Sequence, residues 1–185
     1  NENELSTITV DVSDPGIEDT FEANIDWGDG TIEGPFSYPA GTTSFTKTHQ
    51  YLDDDPSGSD SDQYTVTVTV TDDDGGSDTQ TSDVTVHNVA PSITSLSISN
   101  PINENDIATL TGTFTDPGSL DTYTLQVNWG DSTSTESFSY PSGTTSFSET
   151  HQYLDDDPTG TTSDEYSITV TLIDDDTGLC TASET

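Results

Sequence analysis

In 185 residues the chain carries 36 Asp and Glu against a single Lys, a formal net charge of −35. No basic surface exists to meet phosphates, which excludes nucleic acid as a partner and argues against docking on anionic lipid. One cysteine, Cys180, rules out a disulfide within the chain, and no apolar run approaches membrane-spanning length. Leu, Ile, Val and Phe make up only 35 residues, a share that with this charge points towards disorder. The order of the residues overrules that reading.

Taken along the chain, the apolar residues keep a period of two. Phe21, Ala23, Ile25 and Trp27 alternate with Glu22, Asn24 and Asp26. Tyr64, Val66, Val68 and Val70 alternate with threonines, and a further strand is expected over 81–87. Asn88-Val89-Ala90-Pro91 then reads as a short, proline-stiffened link. Beyond it, strands are expected over 92–99, 107–115, 122–129, 137–140, 145–153 and 166–173. Alternation of this kind marks half-buried antiparallel sheet, and no segment carries a helical period. The fold class is therefore all-β: two immunoglobulin-like antiparallel β-sandwiches arranged end to end, over 1–88 and 89–185.

The two halves are one unit written twice. Asp14-Pro15-Gly16, Trp27-Gly28-Asp29 and His49-Gln50-Tyr51-Leu52-Asp53-Asp54-Asp55-Pro56 all return 102 residues later. A constant offset means no insertion or deletion between copies, the mark of a tandem array rather than of a one-site enzyme. Asn1 aligns with Asn103 and Thr185 with Asp83. The first copy is thus expected to lack its first strand and the second its last. Flanking sequence of a longer chain, or a strand donated by a neighbour, would supply them, and covalent continuity favours the former.

These blocks resemble the polycystic kidney disease (PKD) domain family. The resemblance rests on Trp27-Gly28-Asp29-Gly30, on His49-Gln50-Tyr51, and on the strand from Tyr64 to Val70 followed by Asp72-Asp73-Asp74-Gly75-Gly76. Asn103-Glu104-Asn105-Asp106 and Asp116-Pro117-Gly118 add to it. It runs over nearly the whole chain, twice, departing at Ser132, where Gly30 stands in the first copy and a looser turn is expected. The family implies a seven-stranded sandwich in extracellular proteins, used as spacer, adhesion module or accessory module of secreted hydrolases.

In such a sandwich successive loops fall at alternate poles, so acidic loops crowd both ends of each copy. Asp outnumbers Glu 26 to 10, and a short carboxylate in a loop makes a rigid oxygen ligand for a hard cation. Carboxylates that converge repel unless they are protonated, hydrated or bridged. The expected cofactor is Ca2+, held where one copy meets the next by Glu2, Asp53, Asp54, Asp55 and Asn88 of the first and Asp116, Asp121 and Asp174 of the second. Glu104, Asp155 and Asp157 are the equivalents in the second copy. Asp53-x-Asp55-x-Ser57-Gly58 opens like an EF-hand loop, but its twelfth position is Tyr64 rather than Glu, so it is half a site. The plainer reading is that each Asp is a solvated turn residue that caps its own backbone.

The remaining candidates read as structural. Trp27 and Trp129 follow the inward alternation of their strands and belong to the core rather than to a sugar-stacking platform. Tyr64 and Tyr166 resemble a tyrosine corner. His49 and His151 lack the further nitrogen or sulfur ligands a zinc site needs. Cys180 replaces Asp78 and is either incidental or an intermolecular bridge. No pocket or poised nucleophile suggests an enzyme. The expected function is a structural or adhesive segment of a long extracellular surface or filament protein, rigidified by calcium, with neighbouring repeats as partners in a homopolymer or cell-surface assembly. An accessory polysaccharide- or protein-binding module of a secreted hydrolase is the alternative, and salt-adapted display without specific ions a third.

Overall fold

A computed structural model describes residues 1–155 and 159–185. The chain is all-β and divides into two compact units, Asn1–Ser57 with Ser61–His87, and Asn88–Thr185 with Gly58–Asp60. Among the described residues no helix is long and apolar enough to cross a membrane.

The first unit is built from β1 (Leu5–Asp11), β2 (Phe21–Asp26), β3 (Ile32–Tyr38), β4 (Ser44–Gln50), β5 (Ser61–Asp72) and β6 (Ser77–His87). One sheet pairs β1 with β4, and the other runs β3-β2-β5-β6, all antiparallel. The second unit holds β7 (Ser92–Ile98), β8 (Ile107–Thr115), β9 (Tyr123–Asn128), β10 (Glu136–Tyr140), β11 (Ser146–Gln152), β12 (Ile168–Asp174) and β13 (Leu179–Glu184). Its sheets run β11-β8-β7 and β10-β9-β12-β13. Each unit is an immunoglobulin-like sandwich in which the inward residues of both sheets fill one core.

The alternation decides which residues are inside. Ala23, Ile25 and Trp27 are fully buried while their sequence neighbours face water, and Leu125, Val127 and Trp129 repeat this in the second unit. A constant arrangement surrounds each tryptophan. The Trp27 ring stacks on His49, His49 meets the edge of Tyr51, and Tyr51 stacks on Tyr64. The Tyr51 hydroxyl donates to the Trp27 carbonyl at 2.9 Å, and Tyr153 does the same to Trp129 at 2.9 Å. Burial and the Asp29 charge push the Tyr51 phenol up to about 12. The Tyr64 hydroxyl donates to the carbonyls of Asp53 and Asp55, upstream on the same chain, as a tyrosine corner does.

Gly28 and Gly130 are fixed by two constraints. Both lie at positive φ, and a Cβ there would fall 2.8 Å from the Thr65 carbonyl oxygen or 2.6 Å from that of Ser167. Ser132, expected to loosen its turn, takes the same left-handed conformation as Gly30, at φ 68 against 90. The turn keeps its shape because Asp131 Oδ1 accepts the Thr133 N–H as Asp29 Oδ1 accepts that of Thr31.

Two expectations about strands need correction. The second unit does have its last strand: β13 pairs with β12 from Ile168↔Glu184 to Ile173↔Leu179. The first-copy strand placed over 81–87 begins at Ser77 and is eleven residues long. The reason is shared. The first half of the edge strand β6 is exposed on both faces, so pairing with β5 and not a hydrophobic pattern defines its start; because it begins four residues earlier than expected, its equivalent β13 begins at Leu179. Cys180 lies on β13, half-buried against the core of its unit, and burial raises its thiol. Lys47 lies on β4 with its Nζ 3.3 Å from the centre of the Phe36 ring.

Candidate functional site

Local hydrogen bonding accounts for one oxygen of many acids. Asp14 Oδ1 accepts the Gly16 N–H at 2.6 Å and Asp116 Oδ1 that of Gly118 at 3.1 Å. Asp72 Oδ1 accepts from the N–H groups of Asp74 and Gly76, and Asp174 Oδ1 from that of Asp176. These are turn-capping carboxylates, each with a second oxygen directed elsewhere.

In the first unit the N-terminal turn and the loop between β4 and β5 bring Glu2, Asp53 and Asp54 together. One carboxylate oxygen from each lies within 4.8 Å of the others, and all three residues are buried. Two backbone bonds set the approach: the Glu2 N–H donates to the His87 carbonyl and the Asn3 N–H to that of Tyr51. Asp55 is exposed and outside this cluster. The EF-hand register, which pairs Asp53 with Asp55, therefore does not organise the loop. A second acidic set joins Asp14, Asp19 and Asp72 at the same 4.8 Å limit, in more open surroundings. Desolvation and the charges of Asp14, Asp73, Asp74 and Asp72 raise the Asp19 carboxyl.

In the second unit the equivalents of Asp14 and Asp19 also meet, but that of Asp72 does not join them at this limit. Carboxylate oxygens of Asp116 and Asp121 lie within 4.8 Å, as do those of Asp121 and Asp176. Asp121, Asp174 and Asp176 are buried. Asn88 donates through Nδ2 to Asp174 Oδ2 at 3.1 Å and to the Asp176 carbonyl at 3.3 Å. Its own Oδ1 is buried and accepts no hydrogen bond among the described residues. Burial raises the Asp174 carboxyl, against the hydrogen bonds from Asn88, Gly178 and Asp176. Glu104 and Asp155 are exposed and join no such group among the described residues, and Asp157 lies outside the described residues.

No protein family and no curated protein matches the chain. Among solved structures, the crystal structure of the FN1–FN3 domains of chicken CNTN1 aligns with 99% of this chain and 62% of that one, at 12% identity and a TM-score of 0.35. The chain thus spans about three fifths of the length of that structure.

Sequence reasoning passed over Asp176 and the partner of each histidine. His49 Nε2 lies 2.7 Å from Asp29 Oδ2, and His151 Nε2 lies 2.8 Å from Asp131 Oδ2. An ionised carboxylate only accepts, so Nε2–H donates in both pairs. The available signal was the constant offset, which carries histidine and aspartate together into the second copy. With the ring stacked on tryptophan, this pair braces the Trp-Gly-Asp turn.

The pair has a pH signature. Burial pushes the Asp29 carboxyl up, but the His49 hydrogen bond and those from the Thr31 backbone and side chain outweigh it, leaving it below its ordinary value of 3.8. Asp131 is held low in the same way. A carboxyl depressed by folding contributes stability that is complete above the unfolded value and is lost as pH falls through the folded one. Urea midpoints should therefore fall more steeply below about pH 4 for the natural chain than for Asp29→Asn. Parallel pH curves for the two proteins would refute the assignment.

Proposed function

We propose that the chain is a non-enzymatic, PKD-type repeat segment of a secreted or cell-surface protein, which spaces or adheres and is stiffened by calcium at its acidic loops. The gathering of Glu2, Asp53 and Asp54 carries this reading: three buried carboxylates within 4.8 Å form an all-oxygen donor set. Calcium takes six to eight oxygen ligands in flexible geometry, and neither nitrogen nor sulfur competes here. In the second unit Asp116 and Asp121 supply carboxylates. Bound calcium would cancel the mutual repulsion of these groups and fix the loops that carry them. The net charge of −35 also concentrates cations at the surface, which supports the ion reading and salt adaptation alike.

Calorimetric titration with calcium, followed by solution scattering at each concentration, separates the two. Saturable heat and a saturable change in the scattering profile are expected, with sodium at matched ionic strength giving neither. Equal effects of sodium and calcium would leave salt adaptation as the explanation. Neighbouring repeats of the same kind are the proposed partners.

A further inference from the structure

The outer face of one sheet departs from the acidic character of the chain. In the second unit Leu125, Val127, Val170 and Leu172 point into the core, so the residues alternating with them face outward. Backbone pairing sets Gln126 beside Thr171, and Thr171 beside Thr181, across the middle of the β10-β9-β12-β13 sheet. Asn128, Thr169 and Ser183 form the next row on one side, and Thr124, Ile173 and Leu179 the next on the other. Ser137 and Ser139 extend the face onto β10. In a chain with 36 acids, the outward positions of these four strands carry no charged side chain.

The first unit shows that the fold does not impose this. On its matching face the exposed acids Glu22 and Asp26 stand beside Thr71 and Thr67, where the second unit has Thr124 and Asn128. Local structure does not call for the exchange either. Asp26 Oδ1 accepts the Gly28 N–H at 3.0 Å, and Asn128 Oδ1 accepts that of Gly130 at 3.0 Å. The cross-strand pair Thr71 and Ser77 is replaced by Ile173 and Leu179, and Leu179 is 56% exposed. All four differences remove charge or polarity from the same outward surface.

We propose that this face is a self-association surface, on which the second unit of one chain meets the same face of a second copy. Charge selects the occupant. Two chains of −35 repel, and like charges set opposite one another across an interface are strongly unfavourable. A neutral face of hydroxyls and amides, with Ile173 and Leu179 as its apolar end, lets two copies meet without that repulsion. Hydroxyls and amides both donate and accept, so one patch is complementary to itself in a two-fold pair. At ~4.8 Å between strands and ~3.3 Å per residue, the face measures roughly 20 Å by 20 Å. That is less than the ~800 Å² per partner of a stable pair, so a single contact is weak and gains strength by repetition along tandem copies. The inference rests on like repeats being the partners, not on calcium.

The test follows backbone amides of the isotopically labelled chain as its concentration rises from tens of micromolar to about a millimolar, the range suited to so small an interface. One series contains calcium and the other chelator, and the same shifts are expected in both. Gln126, Thr171 and Thr181 should move with concentration, while Asn24, Thr69 and Thr79 on the matching face of the first unit stay in place. Thr124→Glu with Asn128→Asp gives the second unit the residues that the first carries there, so the fold is kept, and association should weaken at least about tenfold. No concentration dependence at a millimolar, or association unchanged by these substitutions, would overturn the proposal. Shifts confined to β7, β8 and β11 would also overturn it, while leaving like repeats as partners. A saturable response of this face to a neutral oligosaccharide, without self-association, would overturn it in favour of a glycan.

Discussion

Replacing Trp129 with alanine is expected to destabilise the second unit by about 3–5 kcal/mol, as large buried aromatics do when truncated. That is a large share of the ~5–15 kcal/mol that holds a small domain folded. Trp129 is fully buried, stacks on His151 with ring centroids 4.8 Å apart, and donates from Nε1 to Glu136 Oε2 at 3.2 Å. Removing the ring opens a cavity that the two rigid sheets cannot close. Phenylalanine gives the sharper comparison. Trp27 is equally buried, but its Nε1 has no hydrogen-bond partner among the described residues, since Gly34 stands where Glu136 does. Trp27→Phe removes an N–H that earns nothing, whereas Trp129→Phe breaks a bond to a carboxylate. Denaturant unfolding followed by circular dichroism should show Trp129→Phe as the costlier change, by about 1 kcal/mol. Equal losses would remove the Glu136 bond from the account of this core.

The residues that sequence reading placed correctly are those whose environment repeats over short range. Tyr64, Val66 and Val68 are buried on β5 because every second side chain of a strand shares a face, a rule that needs no knowledge of the partner strand. The first half of β6 escaped it because neither face is buried there, and β13 escaped with it because its place was inferred from that of β6; their registers come from β5 and β12. The acidic sites follow the same division. That Asp53 and Asp54 belong to a cluster was legible from the density of acids. That Glu2, some fifty residues away, joins them was legible from the alternation of loops between the two poles, whereas the exclusion of Asp55 was settled by the backbone. The Tyr64 hydroxyl holds the carbonyls of Asp53 and Asp55, and the Asn3 N–H holds that of Tyr51. Spacing rules borrowed from a contiguous calcium loop fail here because the carboxylates converge from separate segments.

Asp54→Asn should change the sign of its effect with calcium. Asp54 is fully buried with carboxylate oxygens of Glu2 and Asp53 within 4.8 Å. At an effective dielectric near 20, two like charges at such a distance repel by roughly 3 kcal/mol before relaxation and counter-ions reduce it. In chelator the neutral amide relieves part of that repulsion, and the variant should be more stable than the natural chain by on the order of 1 kcal/mol. In calcium the order inverts. An ion at a hundred times its dissociation constant adds about 2.7 kcal/mol to the natural chain, and little of that reaches a site stripped of one anionic ligand. Asp55→Asn, exposed and outside the cluster, should follow the natural chain in both conditions. Urea midpoints for the three proteins, with and without calcium, decide the matter. A variant less stable than the natural chain in chelator as well as in calcium would mean that the Asp54 carboxylate serves hydrogen bonds of the loop rather than an ion, and the metal reading of this cluster would fall.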